Sequence, residues 1–224
     1  MTTTPSMPEA ETAHLTMRYG EARVILEYGS GGSTWIASQM PGKLVFSVES
    51  DRDYARTLRH EILASAPKSQ VIVQHVDIGP TAAWGRARDE SQWRNFHRYP
   101  NAIWDQPFFR HPDVILIDGR FRTACLMTAM LRITRPVLVL FDDYGDRPRY
   151  RLVERLVRPV RMIGRMAEFA LTPGMAKEAD LGFMIEQYFQ VTTHGQGKSS
   201  YELAGSVDAA AGSAGGPGKK GGQS

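Results

Sequence analysis

Five short apolar runs, each followed by a stretch with helical spacing, constrain the fold of this 224-residue chain more than any other feature. Valine, isoleucine and leucine fill these runs almost continuously, which is typical of strands buried on both faces of a parallel sheet. The predicted strands are residues 23–28, 43–49, 70–76, 113–118 and 135–142. Because right-handed β-α-β crossovers place helices on both faces of such a sheet, the sequence predicts an α/β fold with a Rossmann-like, doubly wound, mostly parallel sheet.

The segments between these strands carry helix signals. Ser33 and Thr34 can cap the start of one helix, and Asp51 and Asp53 lie in the first turn of the next, where the helix dipole favours acidic groups. The predicted helices are residues 33–39, 50–65, 120–132 and 148–157. The closing strands or a final helix are predicted from residues 162–163, 168–171 and 183–191. The sequence does not fix the order of these elements in the sheet.

The two ends of the chain differ in composition from its centre. Residues 1–11 are rich in threonine, proline and glutamate and are predicted to be a flexible arm, and residues 12–204 form the domain. Residues 205–224 are a glycine, alanine and lysine tail that cannot bury enough apolar surface to offset its ordering entropy, so we predict disorder. Residues 80–112 are long for a connection between strands and rich in aromatic residues and arginine, which indicates either an inserted loop or lid over a substrate, or a satellite core.

Composition and charge exclude several classes of protein. A net charge of +3 is too small for a nucleic-acid-binding signature, and the single cysteine, Cys125, excludes an internal disulfide framework. No apolar run is long enough to span a bilayer, and the first residues lack a secretory signal, so we expect a cytoplasmic protein. The sequence carries no signal for an oligomeric state.

A glycine-rich loop, EYGSGGST at residues 27–34, follows the first strand and opens a helix. Gly29 and Gly31 allow a tight turn and close approach of a ligand to the backbone. Glu49 ends the second strand, where a carboxylate can accept hydrogen bonds from both hydroxyls of a ribose. Ligands of open α/β sheets lie beyond the carboxyl ends of the strands, so these features predict a nucleoside site.

Two observations bear on which nucleoside this site binds. A dinucleotide fingerprint requires a third glycine where Thr34 stands, and Glu27 would repel a pyrophosphate. The same carboxylate suits a cationic ligand such as S-adenosylmethionine. An NAD-dependent oxidoreductase remains an alternative interpretation.

The loop, the following strand and its terminal acid resemble the cofactor site of class I methyltransferases, over roughly residues 20–165. The resemblance implies that S-adenosylmethionine is the cofactor. It implies cofactor-binding roles for Glu27, Gly29, Ser30, Gly31, Gly32, Ser33, Glu49, Ser50, Asp77, Ile78 and Asp118. For Asp77, the alternative is a structural role as a turn cap.

A second group of acids follows two later strands. Asp118 ends the fourth predicted strand, and Asp142 and Asp143 end the fifth. Neighbouring parallel strands would bring these three carboxylates together, and clustered hard oxygen ligands suit Mg²⁺, which can orient a substrate hydroxyl and lower its pKa. We therefore take them as candidate catalytic and metal-binding residues. The alternative is that Asp142 and Asp143 cap the turn after their strand.

An Asp-Gly at the end of one strand, followed later by Asp-Asp-Tyr, resembles cation-dependent O-methyltransferases of the macrocin type. The resemblance implies O-methylation of a small anionic or polyhydroxylated acceptor. Where those enzymes usually place another acid, this chain has Arg120, Phe121 and Arg122. This departure favours, as the alternative, a non-catalytic nucleoside-binding module. The candidate substrate-binding residues are Arg120, Arg122, Tyr144 and Arg147.

Overall fold

The five predicted strands form the centre of one sheet. The computed structural model describes residues 5–190, and each of these strands ends within two residues of its predicted bounds. The strands are β1 (Val24–Tyr28), β2 (Leu44–Glu49), β3 (Gln70–His75), β4 (Thr81–Ala82), β5 (Arg86–Ala87), β6 (Val114–Ile117), β7 (Val137–Phe141), β8 (Arg161–Ile163) and β9 (Met166–Leu171). Of these, β4 and β5 form a separate antiparallel hairpin.

The large sheet has seven strands in the order β3-β2-β1-β6-β7-β9-β8. The first five are parallel, whereas β9 runs antiparallel to both of its neighbours. The prediction of a doubly wound, mostly parallel sheet is confirmed. Tyr28 pairs with both Val48 and Ile117, and Ile117 pairs with Phe141, so the loops after β1, β2, β6 and β7 begin at one level. These loops share one edge of the sheet.

The predicted helices are found, with one change of type. The α-helices are α1 (Glu9–Glu21), α2 (Gly32–Gln39), α3 (Arg52–Ala64), α4 (Trp93–Phe96), α5 (Arg98–Asn101), α6 (Arg122–Arg132) and α7 (Leu181–Tyr188). Residues 148–157 were predicted to be an α-helix, but Pro148–Arg155 is a 3₁₀ helix. Shorter 3₁₀ helices span Ala83–Gly85 and Glu178–Asp180. The closing strands come from residues 161–171, and the last element within residues 5–190 is the helix α7.

Helix α1 begins inside the predicted flexible arm and was not expected. Its inward face is partly polar, since Glu11 and His14 are buried beside Leu15 and Tyr19. The Glu168 carboxylate binds His14 Nε2 at 2.6 Å and accepts two hydrogen bonds from Arg18. These polar partners interrupt the apolar periodicity that predicts a helix. The predicted tail, residues 205–224, lies outside the described residues, as do residues 1–4 and 191–204.

The core lies on both faces of the sheet, and successive strand residues alternate between them as the pleat requires. Leu26, Phe46 and Ile115 face the cluster that contains α6 and α7, whereas Ile25 and Val45 face α1 and α2. In the segment 80–112, the residues that join the larger cluster are Ala87, Phe96, Tyr99 and Ile103, with Trp104 and Phe109 packed against it. The inserted segment therefore packs its buried side chains into the main core and does not form a separate core of its own. No helix within residues 5–190 is long and apolar enough to cross a bilayer.

Candidate functional site

A cavity of about 640 Å³ lies beyond the carboxyl ends of β1, β2, β6 and β7. Its size is that of a site for a small molecule or cofactor. The structure brings most of the predicted site residues onto its wall: Gly29, Ser30, Gly31, Gly32, Ser33, Glu49, Ser50, Asp118, Arg120, Arg122, Asp142, Asp143 and Arg147. These residues meet at the carboxyl ends of the strands, where the sequence predicts the ligand site.

The backbone of the glycine-rich loop packs directly against the backbone of the loop after β6. Gly29 has φ +100°, and a Cβ built on it would lie 2.6 Å from the backbone nitrogen of Gly119. A Cβ built on Gly119 would lie 2.7 Å from the backbone nitrogen of Gly29. Neither position has room for a side chain, so glycine at both residues sets the distance between the two loops.

Glu27 lies beneath the glycine-rich loop and does not line the cavity. Its side chain is fully buried, and its two oxygens accept hydrogen bonds from the Tyr19 hydroxyl at 2.7 Å and the Thr34 hydroxyl at 2.6 Å. Burial raises the pKa of Glu27, although these hydrogen bonds oppose the shift. Thr34 in turn accepts a hydrogen bond from the Gly31 amide at 2.9 Å. Glu27 thus supports the loop from inside, and its two oxygens are bonded to Tyr19 and Thr34.

Glu49 lies on the cavity wall at the end of β2. Its Oε1 accepts hydrogen bonds from the amides of Ser50 at 2.7 Å and Asp51 at 2.8 Å. Its Oε2 accepts a longer bond from the Ser30 amide at 3.3 Å. Burial raises the pKa of Glu49, and these backbone bonds oppose the shift. A carboxylate offers about four lone-pair positions, so Oε2 keeps capacity for a ligand hydroxyl.

Three other predicted residues lie away from the cavity wall. The Asp77 carboxylate is exposed and accepts a hydrogen bond from the Gly79 amide at 2.8 Å, which is the turn-cap arrangement. Ile78 is buried in the core. Tyr144 is also buried, and its hydroxyl donates to Glu154 at 3.0 Å. Asp77 therefore caps a turn, and Ile78 and Tyr144 pack in the core.

The three acids after β6 and β7 come together as predicted. Each of Asp118, Asp142 and Asp143 has a carboxylate oxygen within 4.8 Å of an oxygen of the other two. Burial raises the pKa of Asp118 to about 7, with the Arg122 charge opposing the shift and the charges of Asp142 and Asp143 adding to it. Asp118 therefore changes its charge near neutral pH.

Arginines pair with all three of these carboxylates. Arg122 lies 3.0 Å from Asp118 Oδ1 and 3.2 Å from Asp143 Oδ2, and Arg147 lies 2.7 Å from Asp143 Oδ2. Arg165 donates to both oxygens of Asp142, at 3.1 and 2.9 Å. A divalent cation here would compete with three guanidinium groups for the same oxygens and would be repelled by their charges. This donor set does not fit Mg²⁺.

Arg120 also lines the cavity, but no carboxylate within residues 5–190 forms an ion pair with it. Its Nε is buried and has no hydrogen-bond partner within residues 5–190. Burial and the charge of Arg122 lower the pKa of its guanidinium. Buried polar groups are normally hydrogen-bonded, so Arg120 is suited to hold an anionic ligand.

One solved structure is closely similar to this chain. It is a methyltransferase-like protein from Silicibacter pomeroyi DSS-3, with 44% sequence identity, a TM-score of 0.79, and coverage of 84% of this chain and 98% of that one. The chain belongs to the class I S-adenosylmethionine-dependent methyltransferase family. No protein-family model and no curated protein matches it.

Two further methyltransferase structures are more distantly similar to this chain. A methyltransferase from Geobacter sulfurreducens is 11% identical, with a TM-score of 0.48 and coverage of 75% of this chain and 82% of that one. An O-methyltransferase from Bacillus cereus, crystallised with SAH, is 15% identical, with a TM-score of 0.47 and coverage of 74% and 82%. At these distances the two structures do not bear on the acceptor of this chain.

Strained backbone gathers at the site of this methyltransferase-family chain. Within the described residues, four non-glycine residues have left-handed φ angles. Trp84 and Asp143 are on the cavity wall, and Phe121 directly follows Arg120. Such conformations cost about 1–3 kcal/mol each and cluster at functional sites.

Several wall residues were not predicted as site residues: Pro5, Ser6, Met7, Asp51, Tyr54, Trp84, Gly85, Arg86, Tyr99, Gly119 and Arg165. The aromatic and arginine content of residues 80–112 was a signal for Trp84, Arg86 and Tyr99. Arg165 lies in the turn between β8 and β9, where nothing local distinguishes it from the other arginines of that region.

Proposed function

We propose that this chain transfers a methyl group from S-adenosylmethionine to an oxygen of a small acceptor that carries an anionic group. One observation supports this most: a single cavity wall holds Glu49 and the glycine-rich loop at one part, and Arg120 beside Asp118 at another. The first part suits a nucleoside, and the second suits an anionic molecule with a hydroxyl to be methylated.

The glycine-rich loop and Glu49 would hold the cofactor, which supplies an electrophilic methyl group. Glu49 Oε2 accepts hydrogen bonds from ribose hydroxyls, because its only bond from the described residues is the long one from Ser30. The first turn of α2 presents backbone N–H groups and the positive end of the helix dipole, which suit the carboxylate of the methionine portion. The volume of about 640 Å³ leaves room for an acceptor beside the cofactor.

Arg120 and Asp118 would act on the acceptor. Arg120 binds its anionic group and fixes its orientation, which is the main requirement for displacement at a methyl carbon. Asp118 accepts the hydroxyl proton, since a pKa of about 7 leaves a basic carboxylate at neutral and higher pH. Arg122 holds Asp118 by the contact at 3.0 Å.

We further propose that the reaction proceeds without a bound cation. Arg122, Arg147 and Arg165 balance the charges of the three aspartates, a task that Mg²⁺ would have in a cation-dependent enzyme. The pairing of these carboxylates also favours a second candidate function, a module that binds the cofactor without turning it over.

Calorimetry with S-adenosylmethionine and its demethylated product, SAH, tests cofactor binding. A labelled-methyl assay over hydroxy acids and phosphorylated polyols tests transfer. We expect binding of both compounds, and transfer to at least one anionic acceptor with a KM that rises about tenfold or more in Arg120→Gln. Failure of wild type to bind either compound overturns the proposed function. Binding with no transfer to any acceptor overturns the catalytic proposal in favour of the binding module.

A further inference from the structure

We propose that Trp84, at the tip of the β4–β5 hairpin, is the stacking surface for the base of the bound nucleoside. This inference rests on the proposed function, because it requires that S-adenosylmethionine occupies the cavity. It adds a specificity-determining residue that lies in the inserted segment instead of at the end of β3.

The order of the strands fixes the direction in which the nucleoside lies. Along the sheet edge, β3 is followed by β2, β1, β6 and β7. Glu49 ends β2, the glycine-rich loop follows β1, and Asp118 follows β6. A nucleoside with its ribose at Glu49 and its amino-acid portion at the glycine-rich loop therefore directs its base away from β6, past Glu49.

The hairpin occupies that position and is held against Glu49. The Ser50 hydroxyl donates to the Gly85 carbonyl at 2.7 Å, and the Thr81 hydroxyl donates to Asp51 at 3.2 Å. A Cβ built on Gly85 would lie 2.9 Å from Glu49 Oε1, so the hairpin backbone directly adjoins the ribose acid. Trp84, Gly85 and Arg86 all line the cavity.

Trp84 itself has two unusual properties. The residue is 76% exposed although it lines the cavity, so its indole is accessible to a ligand. Its φ of +64° is left-handed, which a bulky residue adopts only where the surrounding structure imposes it. Stacking on an aromatic side chain is a common way to hold a nucleobase, because every base offers a flat π-face.

The residues at the end of β3 are not available for this role. Asp77 points its carboxylate back to the Gly79 amide, and Ile78 is buried in the core. The hairpin instead supplies the wall beside Glu49, with the Arg86 guanidinium as a source of donors for the acceptor nitrogens of a base.

Substitution of Trp84 tests the inference, with Trp93 as a matched control. Trp93 is also an exposed tryptophan of the same segment, 54% exposed, but it does not line the cavity. We expect Trp84→Ala to weaken SAH binding about tenfold or more in calorimetry, Trp84→Phe to weaken it less, and Trp93→Ala to leave it unchanged. Because the ring would contact the base, adenosine should lose affinity by the same factor.

A further variant separates stacking from folding. Trp84→Gly relieves the left-handed backbone strain, so it should keep the thermal midpoint of wild type while binding SAH as weakly as Trp84→Ala. Wild-type affinity in Trp84→Ala overturns the inference and leaves the proposed function intact. Loss of SAH affinity with unchanged adenosine affinity also overturns it, since the indole would then contact the amino-acid portion. Absence of SAH binding by wild type overturns the proposed function and this inference with it.

Discussion

Arg165 holds Asp142 with two hydrogen bonds, of 3.1 and 2.9 Å, on a carboxylate that is only 2% exposed. The two residues come from turns after different strands, β7 and β8, and the pair joins those turns beside the cavity. Asp142 is the most buried member of the acidic cluster, so its partner decides what else the cluster can bind.

Millimolar Mg²⁺ should leave the thermal midpoint of the wild-type protein unchanged. The oxygens it needs are bonded to Arg122, Arg147 and Arg165, and a cation would have to displace these groups against their charge. Differential scanning fluorimetry with and without the metal checks this, with Asp142→Asn as a control for nonspecific salt effects. A rise of the midpoint in wild type that is lost in Asp142→Asn would show that a metal binds the cluster.

Arg165→Gln should lower the free energy of unfolding by about 3 kcal/mol, because it leaves the buried Asp142 charge without its bidentate partner. The matched control is Arg147→Gln. Arg147 is 42% exposed, so its pair with Asp143 is screened by water and its loss should cost about 1 kcal/mol or less. Urea unfolding of both variants gives the comparison. Equal losses would contradict the assignment of Arg165 as the main partner of the cluster.

Affinity for SAH should fall as the pH is lowered, starting above the usual Glu pKa of about 4.3. Burial raises the pKa of Glu49, so its carboxylate takes up a proton at a higher pH than an exposed glutamate and loses acceptor capacity for ribose hydroxyls. Glu49→Gln should bind SAH about tenfold more weakly at pH 8 and without this pH dependence. Calorimetry across the pH range measures both. A steep pH dependence that survives in Glu49→Gln would assign it to another group.

Gly119→Ala should destabilise the protein by about 1–3 kcal/mol and weaken SAH binding, because the added methyl group would overlap both the Tyr99 hydroxyl and the Gly29 backbone. Gly20→Ala is the control: nothing lies within 4 Å of its built Cβ, and alanine favours the helix, so it should be neutral or stabilising. Thermal unfolding and calorimetry of both variants check this. Full SAH affinity in Gly119→Ala would show that the loop contact does not set the cofactor site.

The strands, the glycine-rich loop and the acidic cluster could be predicted because each depends on residues that are close together in the sequence. Apolar runs predict strands, and parallel strands bring whatever follows them to one edge, so Asp118 and Asp142 could be placed together without knowing their contacts. Their partners could not be predicted this way. Arg165 reaches Asp142 from a turn 23 residues further along the chain, and only tertiary structure distinguishes it from the arginines nearby.

The polar face of α1 and the position of Trp84 were missed for related reasons. His14 and Glu11 face inward because Glu168 and the Arg165 amide bind them, and these partners lie 154 residues away. Trp84 appears in the sequence as one aromatic residue among several in residues 80–112. Its exposure at the cavity follows from the short hairpin and the bond between Ser50 and Gly85, which no periodicity reveals.

The hydroxyl of Tyr19 reaches from α1 to Glu27, which in turn binds the first turn of α2 through Thr34. Two consecutive buried hydrogen bonds thus connect the first helix to the start of α2, which follows the glycine-rich loop. A variant truncated before β1 would keep every residue of the glycine-rich loop, but the buried Glu27 would lose its hydrogen bond from Tyr19. We therefore expect substitutions in α1 that remove this hydrogen bond to weaken cofactor binding.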